Sequence, residues 1–468
     1  MIRRDFLSLG VATLATTTLP ARTAAAVAPT TLPAALTTMP ARMADDVCDS
    51  YMVNTKLFYK DSVYGYTDAV VNLLKDLGVR IVRERLTTGT STGTRNQQRA
   101  MIALAKSGCR WHPTIGKLTD WRNATAVNRN AMNKLSAYYK PRVGGNLSTL
   151  IHSLGGCNEI NGIRYNDPYW APHARTMQKA LWVAAKNNPA TRGLPVAGPS
   201  TRTDVTSTEA AKLGDLSAWC DVGNAHMYNR GTSPTRYIDD HMKTLSPCFP
   251  RVNSWVFTET GYNDARQSSK GVTIRQEAVA SYVIRGIADY FKRRIVYGRF
   301  ELLDDPDTVD FSTQTKINQT TDRDAHFGLI AMTKNDVRAP NPGTWRKKPE
   351  FYAVQRFLRL LSDRGPNFAP KGMDVSITGG GPELQKALVQ KRNGKHYLLL
   401  WRDVVIAKPW PDGRLISVAP KDVTVTMRYG RPIAVFNPRD SSTPVATYSS
   451  RTTFKVPVRG DIMVAQIG

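Results

Sequence analysis

Leu150-Ile151-His152-Ser153-Leu154 runs directly into Gly155-Gly156-Cys157-Asn158-Glu159, and Trp255-Val256-Phe257-Thr258 runs into Glu259-Thr260-Gly261-Tyr262. In both stretches an apolar run of strand length ends at a carboxylate. Six further runs of the same kind lie at Met52–Phe58, Val79–Arg83, Arg110–Ile115, Leu194–Ala197, Asp221–His226 and Ile295–Leu303. Segments with apolar residues three and four apart follow most of them, at Asp68–Leu77, Gln97–Ser107, Ala174–Lys186, Ile274–Phe291 and Phe351–Leu361. Eight alternations over residues 49–365 predict an α/β fold, a (β/α)8 TIM barrel. The C-terminal ends of barrel strands surround one pocket, so Glu159 and Glu259, distant in sequence, would face each other across it.

The helical pattern ends at Arg364-Gly365-Pro366, and Gly379-Gly380-Gly381-Pro382 marks a change of period. Ala387–Val389, Tyr397–Trp401, Val423–Met427, Ile433–Phe436 and Met463–Ile467 then read as short strands, and a β-sandwich over residues 366–468 is the simplest expectation. At the other end, Arg3-Arg4-Asp5-Phe6-Leu7, an apolar stretch to Leu14 and Ala24-Ala25-Ala26 read as an export leader of twin-arginine type over residues 1–26, pointing to a secreted or cell-wall-associated bacterial protein. Residues 27–48, rich in Thr, Pro and Ala, read as a linker.

Of the 468 residues, 41% are hydrophobic, enough for a large core, but no later run reaches the roughly 18 consecutive apolar residues of a membrane span. The net charge is +26, and the leader would take away only Arg3, Arg4, Arg22 and Asp5, so the basicity resides in the folded part. Such a charge attracts anionic partners: an acidic polysaccharide, a cell-wall polymer or a nucleic acid. The basic residues are dispersed, with only the short groups Lys292-Arg293-Arg294 and Arg346-Lys347-Lys348, and no nucleic-acid motif is present, so nucleic acid is not expected. Five cysteines without a C-x-x-C pair exclude the usual zinc and iron–sulfur spacings; Cys220 with Cys248, or Cys109 with Cys157, are the candidate disulfides of an exported chain. No dinucleotide glycine fingerprint, P-loop or H-E-x-x-H is present, and no cofactor or metal is expected.

Two carboxylates across a pocket are the minimum for cleaving a glycosidic bond: one protonated to donate to the leaving oxygen, the other ionised to attack the anomeric carbon. Asn158-Glu159 on the fourth strand and Glu259 on the seventh resemble the catalytic residues of the clan A glycoside hydrolases. The resemblance spans about Ser50 to Leu361 and implies a retaining enzyme with Glu159 as acid/base and Glu259 as nucleophile. Arg83 matches the clan's arginine beside the nucleophile, and His226-Met227-Tyr228 its His-x-Tyr, whose tyrosine bonds the nucleophile. Glu301-Leu302-Leu303-Asp304-Asp305 and Lys348-Pro349-Glu350-Phe351-Tyr352-Ala353 resemble the eighth unit of family 39.

In these roles Arg83 and Tyr228 would lower the pKa of Glu259, the charge of Glu259 would raise that of Glu159, and Asn158 would donate to the sugar 2-hydroxyl. Trp111 and His112, closing the third strand, are candidates to contact the sugar, Trp111 by stacking. Asp304 and Asp305 either bind hydroxyls or cap the polar connection to Lys347, which is expected to shape the cleft. The sequence departs from the pattern where many clan members carry Trp or Tyr on the eighth strand, having Phe300-Glu301 there. The rival expectation is a barrel that binds a glycan or cell wall without cutting it; retention of both Glu159 and Glu259 counts against it.

Overall fold

The computed structural model describes residues 35–60, 62–162, 166–265, 272–305, 325–332 and 341–468. The export leader and the first part of the expected linker lie outside the described residues. The described chain begins with two short strands, β1 (Thr37–Met39) and β2 (Arg42–Met43), and a helix, Ala44–Cys48. Six parallel strands follow: β3 (Tyr51–Asn54), β4 (Ile81–Arg85), β5 (Arg110–Thr114), β6 (Gly223–Tyr228), β7 (Trp255–Gly261) and β8 (Ile295–Arg299). They lie side by side in the order β5-β4-β3-β8-β7-β6.

The gap between β5 and β6 is filled by the expected fourth and fifth strands. Trp111 bridges to Ile151, Thr114 to Gly155, Leu154 to Val196, and Ala197 to Val222, which carries the pairing on to β6. These segments hold their places through isolated bridges instead of regular ladders. Pro113, Pro195 and Pro199 lack the N–H a ladder requires, and the backbone bonds that remain run through neighbours such as Leu154 N to Pro195 O at 2.8 Å. Helices such as Thr67–Leu77, which ends at the left-handed Gly78, pack their apolar face on the strands.

After β8 a long connection carries a small antiparallel pair, β9 (Ile330–Ala331) and β10 (Arg346–Lys347), and then the helix Pro349–Leu361. The C-terminal strands are β11 (Met373–Gly379), β12 (Leu384–Gln390), β13 (His396–Arg402), β14 (Lys421–Phe436), β15 (Ala446–Val458) and β16 (Met463–Ile467). They form one hydrogen-bonded sheet in the order β1-β11-β14-β16-β13-β12-β2, with β15 on β14, so the expected sandwich of two sheets is here a single continuous sheet. Its core is made of residues such as Val423, Val425, Ile433, Val435, Leu398, Leu400, Phe454 and Val456. Val423–Met427 and Ile433–Phe436, read as two strands, are halves of β14 joined across a register shift; the first half pairs with β11 and the second with β16. Part of the expected linker belongs to this sheet, β1 on β11 and β2 on β12.

The helix Gln276–Lys292 is buried along nearly its whole length, because the barrel covers one side and the C-terminal sheet the other. Arg285, fully buried, donates to the carbonyls of Val404 and Gly460 and to Asp403, and Trp401 Nε1 donates to Asp289 at 3.0 Å. Burial pushes Asp289 up to about 7, against the pull of Arg285. All five cysteines are buried and free, which corrects the expected pairs: Cys220 Sγ donates to Leu216 O and Cys248 Sγ to Ala210 O. Among the described residues, no helix is long and apolar enough to cross a membrane.

Candidate active site

Glu259 projects from β7 with its carboxylate held from three sides. Arg83, on β4, donates from Nη1 to Oε1 at 2.6 Å; the Tyr228 hydroxyl, on β6, donates to Oε2 at 2.8 Å; His226 Nδ1 lies 3.3 Å from Oε2. Arg83 is itself aimed by Asn54 at the end of β3, whose Oδ1 accepts from Nη1 at 2.7 Å while its amide donates to the carbonyls of Thr258 and Arg299. Arg83 Nη2 donates to Asn158 Oδ1, tying the second strand of the barrel to the fourth. Burial and the charges of Glu259 and Glu159 push the Tyr228 hydroxyl well above its ordinary pKa, so it stays a donor at any working pH.

Glu159 follows the bridged segment at the fourth barrel position. Its backbone is left-handed, with φ at 44°, a conformation that costs a residue with a side chain roughly 1–2 kcal/mol. Hydrogen bonds to the fifth position hold it there: Glu159 N donates to Ser200 Oγ at 3.0 Å and Ile160 N to Ser200 O at 3.0 Å. The chain before it lies close to the barrel interior, since a Cβ on Gly155 would stand 2.4 Å from His112 Nε2. One carboxylate oxygen of Glu159, one of Glu259 and a ring nitrogen of His226 lie within 4.8 Å of one another.

The hydrogen-bond network assigns the protons on His226. Asn224 Nδ2 donates to Gly198 O, which orients that amide, so Thr258 Oγ1 donates to Asn224 Oδ1 at 2.8 Å. The Thr258 hydroxyl can then only accept from His226 Nε2 at 3.1 Å. Nδ1 is left facing Glu159 Oε1 at 3.2 Å as well as Glu259, and a hydrogen bond to Glu159 requires a proton on Glu159 or on Nδ1.

An aromatic group backs Tyr228. Its ring lies 5.4 Å from Phe327 and 6.4 Å from Phe300, and those two lie 5.6 Å apart, all edge to face. Phe300 directly follows β8. Next to it, Lys56 Nζ sits 3.0 Å from both Glu301 Oε1 and Asp305 Oδ2, and the Tyr64 hydroxyl donates to Glu301 Oε2 at 2.8 Å. Burial pushes Glu301 up to about 7, opposed by the Lys56 charge.

The structure brings Glu159, Glu259, Asn158, Arg83, His226 and Tyr228 together, and places the other two expected residues elsewhere. Trp111 is fully buried on the outer side of β5, edge-on to Tyr139 at 5.5 Å, with Nε1 donating to Glu84 O at 3.0 Å. Its ring is core and is closed to a sugar. His112 points inward but is only 1% exposed, paired with Ser153 Oγ at 2.8 Å; burial first, then His152 and Arg83, hold its pKa well below the usual histidine value, so it is a neutral filler of the barrel interior. Asp304 and Asp305 are salt-bridged to Lys348 and Lys56. Asn54 and Ser200 were missed; the one available signal was a polar residue closing an apolar run.

No protein-family model and no curated protein sequence matches the chain. Solved structures do share its fold. A monomeric beta-xylosidase from Caulobacter crescentus CB15 superposes with a TM-score of 0.56 at 14% identity, over 92% of this chain and 97% of that one. The GH39 enzyme from Xanthomonas axonopodis pv. citri gives 0.54 at 13% identity, over 92% and 95%. A glucosidase from Croceicoccus marinus gives 0.54 at 10% identity, over 85% and 91%. The chain therefore has the fold of the clan A glycoside hydrolases, with family 39 enzymes among its structural neighbours.

Proposed function

We propose that the protein is an exported retaining glycoside hydrolase acting on a polysaccharide or oligosaccharide. The observation that carries this reading is the pairing of Glu259, clamped by Arg83 and Tyr228, with Glu159, one carboxylate oxygen of each lying within 4.8 Å of the other. So near an approach suits a retaining enzyme, whose carboxyl groups stand about 5–5.5 Å apart, better than an inverting one, which leaves about 6.5–9.5 Å for a water. Glu259 attacks the anomeric carbon while Glu159 gives its proton to the leaving oxygen, forming a covalent glycosyl-enzyme. Glu159, now a carboxylate, takes a proton from water, which attacks the same carbon and frees Glu259. Asn158, its oxygen engaged by Arg83, offers its NH2 to the sugar 2-hydroxyl.

The neighbours named as a beta-xylosidase and a glucosidase make xylosides and glucosides the first substrates to try. The net charge of +26 favours a polymer or wall with anionic groups, and the leader over residues 1–26 favours export. The test is hydrolysis of aryl glycosides followed by proton NMR. A first-formed product with the substrate's anomeric configuration is expected. An inverted product would refute the double displacement, and glycan binding without hydrolysis would leave a binding barrel.

A further inference from the structure

On the β7–β8 side of the barrel a second group of charged side chains is buried, and the proposed mechanism does not use it. Asp264, on the loop leaving β7, is 8% exposed; Asp304 is 3%, Lys348 4%, and Arg299 and Glu350 1% each. Lys348 Nζ lies 2.8 Å from Asp264 Oδ1 and 2.8 Å from Asp304 Oδ1, and Gly328 N also donates to Asp304 Oδ1. Arg299 and Glu350 satisfy each other in a bidentate pair. Lys348 therefore sits on the Oδ1 side of both aspartates. Asp264 Oδ2 is sealed from solvent and has no hydrogen-bond partner among the described residues, and Asp304 Oδ2 faces His326 Nδ1 at 3.9 Å.

Among the described residues, three carboxylates face two cations in this buried cluster, and an unpaired buried carboxylate oxygen is costly. A cavity of about 10 Å³, room for one water or ion, is lined by Asp264, His326, Lys348 and Arg299. One carboxylate oxygen each from Asp264 and Asp304 and one ring nitrogen of His326 lie within 4.8 Å of one another. We propose that Asp264, Asp304 and His326 bind a divalent transition-metal ion, zinc(II) or manganese(II), that ties the loop after β7 to the connection after β8. An imidazole with two carboxylates suits these ions, whereas calcium calls for six to eight oxygens. Bonds of roughly 2.0–2.2 Å require the donors to close on the ion from their present spacing. Asp264 follows β7, and Asp304 and His326 stand far apart in sequence on the connection after β8, which is why ligand spacing in the sequence gives no sign of the site.

The experiment uses the full chain, purified without a histidine tag, stripped with EDTA and assayed by metal analysis and thermal unfolding. Expected are about one zinc or manganese per chain on reloading, a Tm rise of at least about 2 °C with those ions, and no rise with calcium. His326→Ala, at a partly exposed side chain, is expected to keep the Tm of the stripped protein and lose the metal-dependent rise; Asp304→Asn should lose it too. No stoichiometric metal and no shift would overturn the proposal, leaving a water or a proton to complete the cluster. A rise that survives in both variants would also overturn it, since the ion would then sit at Glu159, His226 and Glu259.

Discussion

Replacing Tyr228 by phenylalanine removes one donor from Glu259 and little else, because the ring keeps its edge contacts with Phe300 and Phe327. The lost bond is a 2.8 Å O–H···O contact to a carboxylate. Hydrogen bonds to charged groups are worth about 1.5–3 kcal/mol, and each 1.36 kcal/mol is a factor of ten in rate, so kcat/KM should fall by roughly 10- to 150-fold. Arg83 Nη1 still donates to Oε1 at 2.6 Å, so the carboxylate keeps one of its two fixed donors. The assay is steady-state hydrolysis of an aryl glycoside from pH 3 to 9, with Tm as the control for folding. A loss smaller than about threefold in a folded variant would refute the assignment of Tyr228 as the residue that orients the nucleophile.

Glu159→Ala should reduce hydrolysis of glycosides with poor leaving groups by at least about a hundredfold and spare dinitrophenyl glycosides, as measured by kcat against leaving-group pKa; equal losses on both would remove Glu159 as the acid. Trp111→Phe deletes the bond to Glu84 O, so a loss of about 1 kcal/mol in denaturant unfolding with an unchanged KM is expected, and a tenfold KM rise at constant stability would restore it as a sugar contact. Asp289, whose pKa burial lifts from 3.8 to about 7, binds its proton more tightly folded than unfolded, so its contribution to stability is lost as pH rises from about 4 to 7; Asp289→Asn should flatten the fall of Tm over that window, and an unchanged slope would show that Asp289 does not contribute to it.

The core of the site was legible because it sits where barrel geometry makes strand ends converge: Arg83 on β4, His226 and Tyr228 on β6, Glu259 on β7. Trp111 and His112 show the limit of that reading. Adjacent residues on a strand point to opposite faces, so both could never line the pocket; the structure turns Trp111 outward against Tyr139 and His112 inward beneath Gly155. Asn54 and Ser200 escaped notice because their part is to hold Arg83 and Glu159, a tertiary matter with no sequence spacing of its own. The Thr/Pro/Ala-rich stretch before the barrel reads as a linker by composition, yet residues 37–39 join a sheet edge through backbone hydrogen bonds that ask little of side chains. Gly430 and Pro432 divide β14 in sequence, whereas in space they mark a register shift within one strand.

The central claim is that Glu259 becomes covalently glycosylated. Incubation of the purified protein with a panel of mechanism-based fluorosugars, followed by intact mass and peptide mapping, tests it directly. A single adduct on Glu259 is expected, with the sugar that labels naming the glycone. An adduct on another residue, or a folded protein that hydrolyses a glycoside while the matching fluorosugar leaves no adduct, would contradict it.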